Sequence, residues 1–356
     1  MSVKYIGVQW TRAKVVYDVV VVTLAATFIE VFRFVAQSTL RGDRYLSAPV
    51  LEMRAFGTCA FLMISVILAI GPLARLDRRF APLLYNRRHL GVVTCGVALT
   101  HAYHVLGFYY AYSGDRPIAE ALSFDRSFTS ASLPFPLFGI AALVILVLMA
   151  VTSHDFWQRF LGPERWKWLH MSVYAAYALI VLHVAFGAMQ TDMHVGWVAL
   201  FGLSVLSVVG LHLAAARRST ALDLRPNAPV SSEGAEWLDA GPVRALKLNR
   251  VLPVVGTKGE RIALVRHAGG VSAVHGVCAH QGGPLSEGKM IDGCLTCPWH
   301  GWQYRPEDGC APPPFVEKIP TYRVKIEDGR VLVSTAAEAP GTKLEPARVP
   351  SEPGDA

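Results

Sequence analysis

Four side chains in the last third of the chain carry the clearest chemistry. Cys278 and His280 are one residue apart, Cys297 and His300 are two apart, and sixteen residues separate the pairs. Two thiolates and two imidazoles in this order suit a two-iron, two-sulfide cluster in which one iron takes both cysteines and the other both histidines. Zinc also takes Cys and His at short spacings, but the single residue between Cys278 and His280 departs from the usual zinc spacing.

The flanking residues sharpen this reading. CAHQGGPL (278–285) and CLTCPWHGWQY (294–304) resemble the two loops of Rieske ferredoxin domains. The resemblance covers about a hundred residues and implies a Rieske 2Fe-2S cluster held by Cys278, His280, Cys297 and His300. High-potential Rieske domains of cytochrome bc complexes carry a further cysteine in each loop, paired as a disulfide. Gly283 and Trp299 stand at those positions. A Ser and a Tyr whose hydroxyls bond cluster sulfur also mark that group; here Trp302 replaces the Ser and Tyr304 keeps the Tyr. Fewer bonds to sulfur imply the low end of the Rieske range, roughly −150 mV.

The rest of the chain must hold this site and supply it. Of 356 residues, 52% are hydrophobic, and the long apolar runs fall within 15–216 while 217–356 read as soluble. The net charge of +7 would fit a nucleic-acid binder, but basic residues also gather in the inner loops of membrane proteins, and no aromatic-basic interleaving is present. Nucleic acid is therefore not an expected partner. Cys59 and Cys95, in apolar segments, read as small packing residues, and Cys294 and Cys310, which flank the second loop, as free thiols; no disulfide framework stands out, which fits a reducing compartment for the soluble part.

Six segments approach the ~20 residues that cross a bilayer: 15–37, 55–74, 90–113, 133–152, 169–188 and 195–216. The first follows Lys4, Arg12 and Lys14 but is too long and lacks the cleavage site of a signal peptide, so it reads as a membrane helix. Glu30 and Arg33, three apart on that helix, are expected to neutralise one another. The N-terminus and the loops 75–89, 153–168 and 217–225 hold fourteen Lys and Arg, against five in 38–54, 114–132 and 189–194. That asymmetry places both termini and the cluster domain in the cytoplasm of a multi-pass protein, expected in a bacterial inner membrane.

Histidines inside apolar segments are costly and point to function. His101 and His104 lie in the third segment, His170 and His183 in the fifth, and His89 just before the third. At 1.5 Å per residue from the cytoplasmic side, His101 lies about 16 Å deep and His183 about 20 Å, so the two can share one haem iron. His170 and His89 share the cytoplasmic level, where a second haem has room. Spacing alone does not align the two on the fifth segment: thirteen residues turn His183 about 140° from His170.

RRHLGVVTCGVALTHAYH (87–104) and ERWKWLHMSVYAAYALIVLHVAF (164–186) resemble the third and fifth helices of the ferric reductase-like transmembrane family. The resemblance covers about 50–216 and implies haem b, with His101, His170 and His183 at the family's ligand positions. His89 lies twelve residues before His101, where two-haem members use about fourteen. His104 reads as a buried hydrogen-bonding residue or a neighbour of a haem propionate; His154, His194 and His212, near segment ends, read as unliganded.

The expected organisation is a six-helix transmembrane haem b domain over 1–216, a linker over 217–233, a small all-β Rieske domain over 234–335 and a disordered tail over 336–356. Short β-rich runs (VRALKL, RIALVR, VSAVHGV, YRVKI, VLVS) separated by glycine turns support the β domain. Members of the resembled family attach a flavin and nicotinamide module, yet no strand-associated GxGxxG occurs here. The expected function is therefore transmembrane electron transfer. A cytoplasmic reductase or ferredoxin donates to the Rieske cluster, haem b follows, and an outer-face acceptor (quinone, ferric iron, dioxygen or a periplasmic protein) receives the electron, with loop 114–132 as its docking surface. The alternatives are a redox sensor without turnover, and reverse flow from quinol or an outer donor. An oxygenase is excluded by the lack of a catalytic mononuclear-iron domain.

Overall fold

Long apolar helices fill the first part of the chain and antiparallel strands the second, and the chain divides between Ala215 and Ala216 into two compact units. The computed structural model describes residues 12–39, 46–80, 83–84, 86–113, 135–191, 195–223, 226–232, 234–280, 282–298, 301–313 and 315–349. His300, Trp299, His194, loop 114–132 and the last residues of the expected tail lie outside them.

The helical unit consists of α1 (Arg12–Thr39), α2 (Ala48–Leu76), α3 (Arg87–Ser113), α4 (Phe135–Val151), α5 (Asp155–Met171), α6 (Val173–Phe186) and α7 (Val195–Asp223). Val15–Ser38, Ala48–Leu76, Arg87–Phe108, Arg165–Phe186 and Val195–Arg218 are long and apolar enough to cross a membrane. The 17-residue α4 is apolar throughout but shorter. Among the described residues there are thus five candidate spans rather than the expected six. Gly162, at φ 76°, breaks α5 before Pro163, so the span opens only at Arg165.

Packing follows helix periodicity. Ala25, Ile29, Phe32 and Ala36 make one stripe of α1 that is buried against Leu51, Ala55 and Cys59 of α2. Farther along α2, Phe61, Ile64 and Leu68 pack with Tyr177 of α6 and Val208 of α7, and Ser65 hydrogen-bonds the Tyr177 hydroxyl at 3.1 Å. The opposite faces carry exposed Val19, Leu24, Phe34, Leu203 and Leu206. Apolar residues all round a helix suit lipid as the outer solvent. Arg33 binds Glu30 at 2.5 Å, as expected, and also Glu52 of α2.

The β unit holds a seven-stranded antiparallel sheet, ordered β1 (Pro229–Ser232), β2 (Ala235–Pro242), β10 (Arg330–Ala337), β9 (Thr321–Glu327), β5 (Gly270–His275), β4 (Arg261–His267), β3 (Val251–Val255). A second sheet joins β6 (Lys289–Ile291), β7 (Cys294–Thr296) and β8 (Gln303–Tyr304). Strand β4 separates two cores by its two-residue period. Ile262 and Leu264 face a cluster with Leu238, Val254 and Val331, while Ala263 and Val265 face one with Leu285, Leu295, Tyr304 and both Cys278 and Cys297. Each fully buried aliphatic side chain stabilises the fold by about 1.5–3 kcal/mol.

Three expectations about this half need correction. Residues 217–223 continue α7, and 229–232 pair with β2 as β1, so much of the expected tether is built into regular elements. VRALKL forms a short 3-10 turn over Val243–Ala245, with no strand. The tail up to Val349 is not disordered but straps the sheet. Leu344 N–H donates to Glu307 O, Thr321 Oγ1 to Thr342 O, and Ala347 exchanges two 2.9 Å bonds with Val271. Its polar composition concealed a segment whose backbone groups find partners on the domain. Gly270 permits the approach, because at φ 131° a Cβ there would lie 2.5 Å from Ala347 O.

Candidate metal and cofactor sites

Two loops over the second core of the β unit share one backbone design. Cys278 N–H donates to Gly283 O at 2.8 Å and Gly282 N–H returns to Cys278 O at 2.8 Å. In the other loop Cys297 N–H donates to Trp302 O at 2.7 Å and Gly301 N–H to Cys297 O at 3.0 Å. Each is closed four and five residues after its cysteine, and the closing glycines hold φ 73° and 70°, which favours glycine at both. The closures leave Cys278, Cys297 and His280 buried on short, doubly tied segments. Among the described residues no three His, Cys, Asp or Glu converge on one point. Two protein ligands per iron, as a two-iron cluster needs, make no such group.

Two aromatic side chains complete the loops. Tyr304 is fully buried on β8, and its hydroxyl lies 3.5 Å from Cys278 Sγ. Burial, and then the Cys278 thiol, push that hydroxyl above the usual phenol range, so it stays a proton donor. Trp302 stacks on His280 with ring centres 4.2 Å apart and planes 5° apart, and Phe315 packs on Trp302 at a tilt, with ring centres 4.2 Å apart. The Trp302 indole nitrogen is buried without a hydrogen-bond partner among the described residues.

In the helical unit α3 and α6 bring His101 and His183 together, with ring centres 6.2 Å apart and planes at 78°. His101 Nδ1 lies 2.8 Å from Met53 O of α2, and His183 Nδ1 lies 2.9 Å from Phe135 O of α4. A carbonyl only accepts, so each Nδ1 carries the proton and each Nε2 keeps its lone pair. Metal-binding imidazoles are held in this way. Two such rings bound to opposite sides of one metal ion would have centres roughly 6–6.5 Å apart, from metal–nitrogen bonds of about 2 Å and ring radii of about 1.2 Å. The observed spacing fits.

Residues 236–323 match the protein-family model described as Rieske [2Fe-2S] domain, and 56–181 the one described as Ferric reductase like transmembrane component. The chain belongs to the Rieske family, behind a ferric reductase-like membrane part. The Anthranilate 1,2-dioxygenase ferredoxin subunit of Burkholderia cepacia is 33% identical over 104 residues, 28% of this chain and 93% of that protein. The Protein-methionine-sulfoxide reductase heme-binding subunit MsrQ of Ralstonia nicotianae is 33% identical over 149 residues, 40% of this chain and 61% of that one. The Cholesterol 7-desaturase nvd of Xenopus laevis is 43% identical over 67 residues, 18% and 15% of the two chains. The chain thus spans less than two thirds of the length of the last two. A ferric reductase-like part joined to a Rieske domain is an electron-transfer architecture.

The remaining histidines of the ferric reductase-like part are engaged differently. His170 stacks on Trp166 at 3.8 Å, and its Nε2 lies 3.3 Å from Thr152 Oγ1. His89 Nδ1 is held by Asp18 of α1 at 2.9 Å. Among the described residues no pairing like that of His101 and His183 links His89 to His170. His104 stacks on Phe56, His154 caps α5 by accepting from Phe156 N–H, and His212 meets the Tyr174 hydroxyl at 3.2 Å. Sequence reasoning missed the two carbonyl partners, the Asp18 contact and the Trp302 stack. The first has a sequence signal, the repeated Phe-Gly-x-x-Ala at 56–60 and 138–142.

Proposed function

We propose that this protein carries single electrons across a bacterial inner membrane, from a cytoplasmic donor through the Rieske centre to one haem b and on to an acceptor at the outer face. When bound, the cluster and the haem each supply a one-electron relay. The observation that carries the reading is the His101–His183 pair, whose Nδ1 atoms are tied back and whose spacing suits one shared iron, on the same chain as a Rieske domain.

Each residue has a definite task in this scheme. Cys278 and Cys297 hold one cluster iron, and His280 and His300 the other. Tyr304 donates toward Cys278 sulfur and stabilises the reduced, more negative state. Met53 and Phe135 carbonyls orient His101 and His183 and raise their basicity. The excess of Lys and Arg in one set of loops supports a cytoplasmic Rieske unit and six spans, with α4 as the sixth. A soluble reductase or ferredoxin is the donor class, and quinone, ferric iron, dioxygen or a periplasmic protein the acceptor class.

A redox titration followed by visible and EPR spectra tests this. One b-type haem and one Rieske signal per chain are expected. His183→Ala should remove the haem and leave the Rieske signal, and Cys297→Ser should do the reverse. Two haems per chain, or a haem that persists in His183→Ala, would refute the assignment.

A further inference from the structure

The contacts that hold His101 and His183 repeat at a constant offset of 82 residues. Met53 O and His101 Nδ1 become Phe135 O and His183 Nδ1, and both pairs are 48 residues apart. A Cβ on Gly57 would lie 2.9 Å from His101 Nδ1, and one on Gly139 would lie 2.8 Å from His183 Nδ1. Phe56 stacks on His104 at 5.2 Å, and the equivalent Phe138 meets Phe186 at 6.4 Å. Helix α2 packs on α3 as α4 packs on α6. The carbonyl that accepts and the glycine beneath the ring are four residues apart, so they lie on one helix face in both halves.

We infer that this pocket is a duplicated structure in which Gly57 and Gly139 are the positioning residues of the two haem-ligand histidines. The inference rests on the haem reading proposed above. Contacts under 3.0 Å are too close for a real Cβ, and neither ring can retreat while its Nδ1 is held at 2.8–2.9 Å by a carbonyl of the same helix. A methyl group at either position must therefore turn or displace the ring and stretch its hydrogen bond. A weaker Nδ1 bond makes the imidazole a poorer donor to the metal, so the potential rises. The angle between the two ring planes, which governs the anisotropy of a low-spin ferric EPR signal, changes as well. The duplication also assigns His104 to packing, because its counterpart is Phe186.

The test uses full-length protein carrying Gly57→Ala, Gly139→Ala, Gly91→Ala or His104→Phe, with haem content, ferric EPR signal and haem midpoint potential as readouts. Gly91 has open space at its Cβ position. Gly57→Ala and Gly139→Ala should each shift the largest g-value and raise the potential, while Gly91→Ala and His104→Phe keep the wild-type low-spin signal. Wild-type spectra and potential in both seat variants, or loss of an axial ligand in His104→Phe, would overturn the inference and leave the haem reading standing. Absence of haem from the wild type would overturn both. Should Gly57→Ala bind no haem, Gly57→Ala/His101→Gly supplied with free imidazole decides, because a free ring can slide off the added methyl. Low-spin haem should return as it does in His101→Gly alone, and failure to return there only would contradict the seat.

Discussion

Tyr304 and Trp302 bear on the Rieske site in different ways. The Tyr304 hydroxyl approaches Cys278 sulfur at 3.5 Å, whereas Trp302 presents a ring face to His280. Removing the hydroxyl in Tyr304→Phe should leave the cluster in place and lower its midpoint potential. Loss of one hydrogen bond of about 1 kcal/mol corresponds to about 40 mV for one electron. EPR-monitored titration checks this, and an unchanged or higher potential would remove Tyr304 from the tuning role. Tyr304 was legible through the resemblance, since it stands where Rieske domains of cytochrome bc complexes place a sulfur-bonding Tyr. The Trp302 stack was not, because it depends on how two loops distant in sequence meet over one core.

At the scale of elements, the turn after β8 braces the strand that carries Tyr304. Arg305 N–H bonds Cys310 O, Gly309 N–H bonds Arg305 O, and Asp308 receives the Arg305 guanidinium at 2.6–3.1 Å and the Cys310 N–H at 2.9 Å. Burial raises the Asp308 carboxyl, but the Arg305 and Cys310 bonds outweigh it and hold the group below the usual carboxylate range. A depressed folded value stabilises above the unfolded pKa, about 3.9, and the gain is lost as pH falls through the folded one. Asp308→Asn should therefore destabilise the Rieske unit by on the order of 1 kcal/mol near neutral pH, allowing for the partly exposed Arg305. The difference should vanish at low pH, which thermal loss of the cluster's visible absorbance can follow. A difference that persists at the lowest pH would contradict the account. The strap and the α7 extension show where composition misleads. Polar residues past Ala216 end the apolar run but do not stop a helix, and the tail's bonds to Val271, Glu307 and Thr321 involve long-range partners that no local pattern shows.

For the whole molecule, both halves were readable because each rests on residue chemistry at fixed spacing. The cysteine–histidine pairs and the β-rich runs marked the Rieske unit, and the apolar lengths with buried histidines marked the membrane part. What spacing could not decide was which histidines meet. His170 stands at a ligand position by resemblance, and its Nε2 lies 3.3 Å from Thr152 Oγ1; the rings of His101 and His183 lie 6.2 Å apart, held by carbonyls of α2 and α4. The proposed order of flow runs from donor to Rieske centre to haem, and stopped-flow spectroscopy reads that order. Full-length protein and its Cys297→Ser variant are mixed with a reduced soluble ferredoxin, and with dithionite as a control. In the wild type, bleaching of the Rieske absorbance should precede haem reduction. In the variant, dithionite should still reduce the haem while the ferredoxin should not. Haem reduction by the ferredoxin at the wild-type rate in Cys297→Ser would contradict the account.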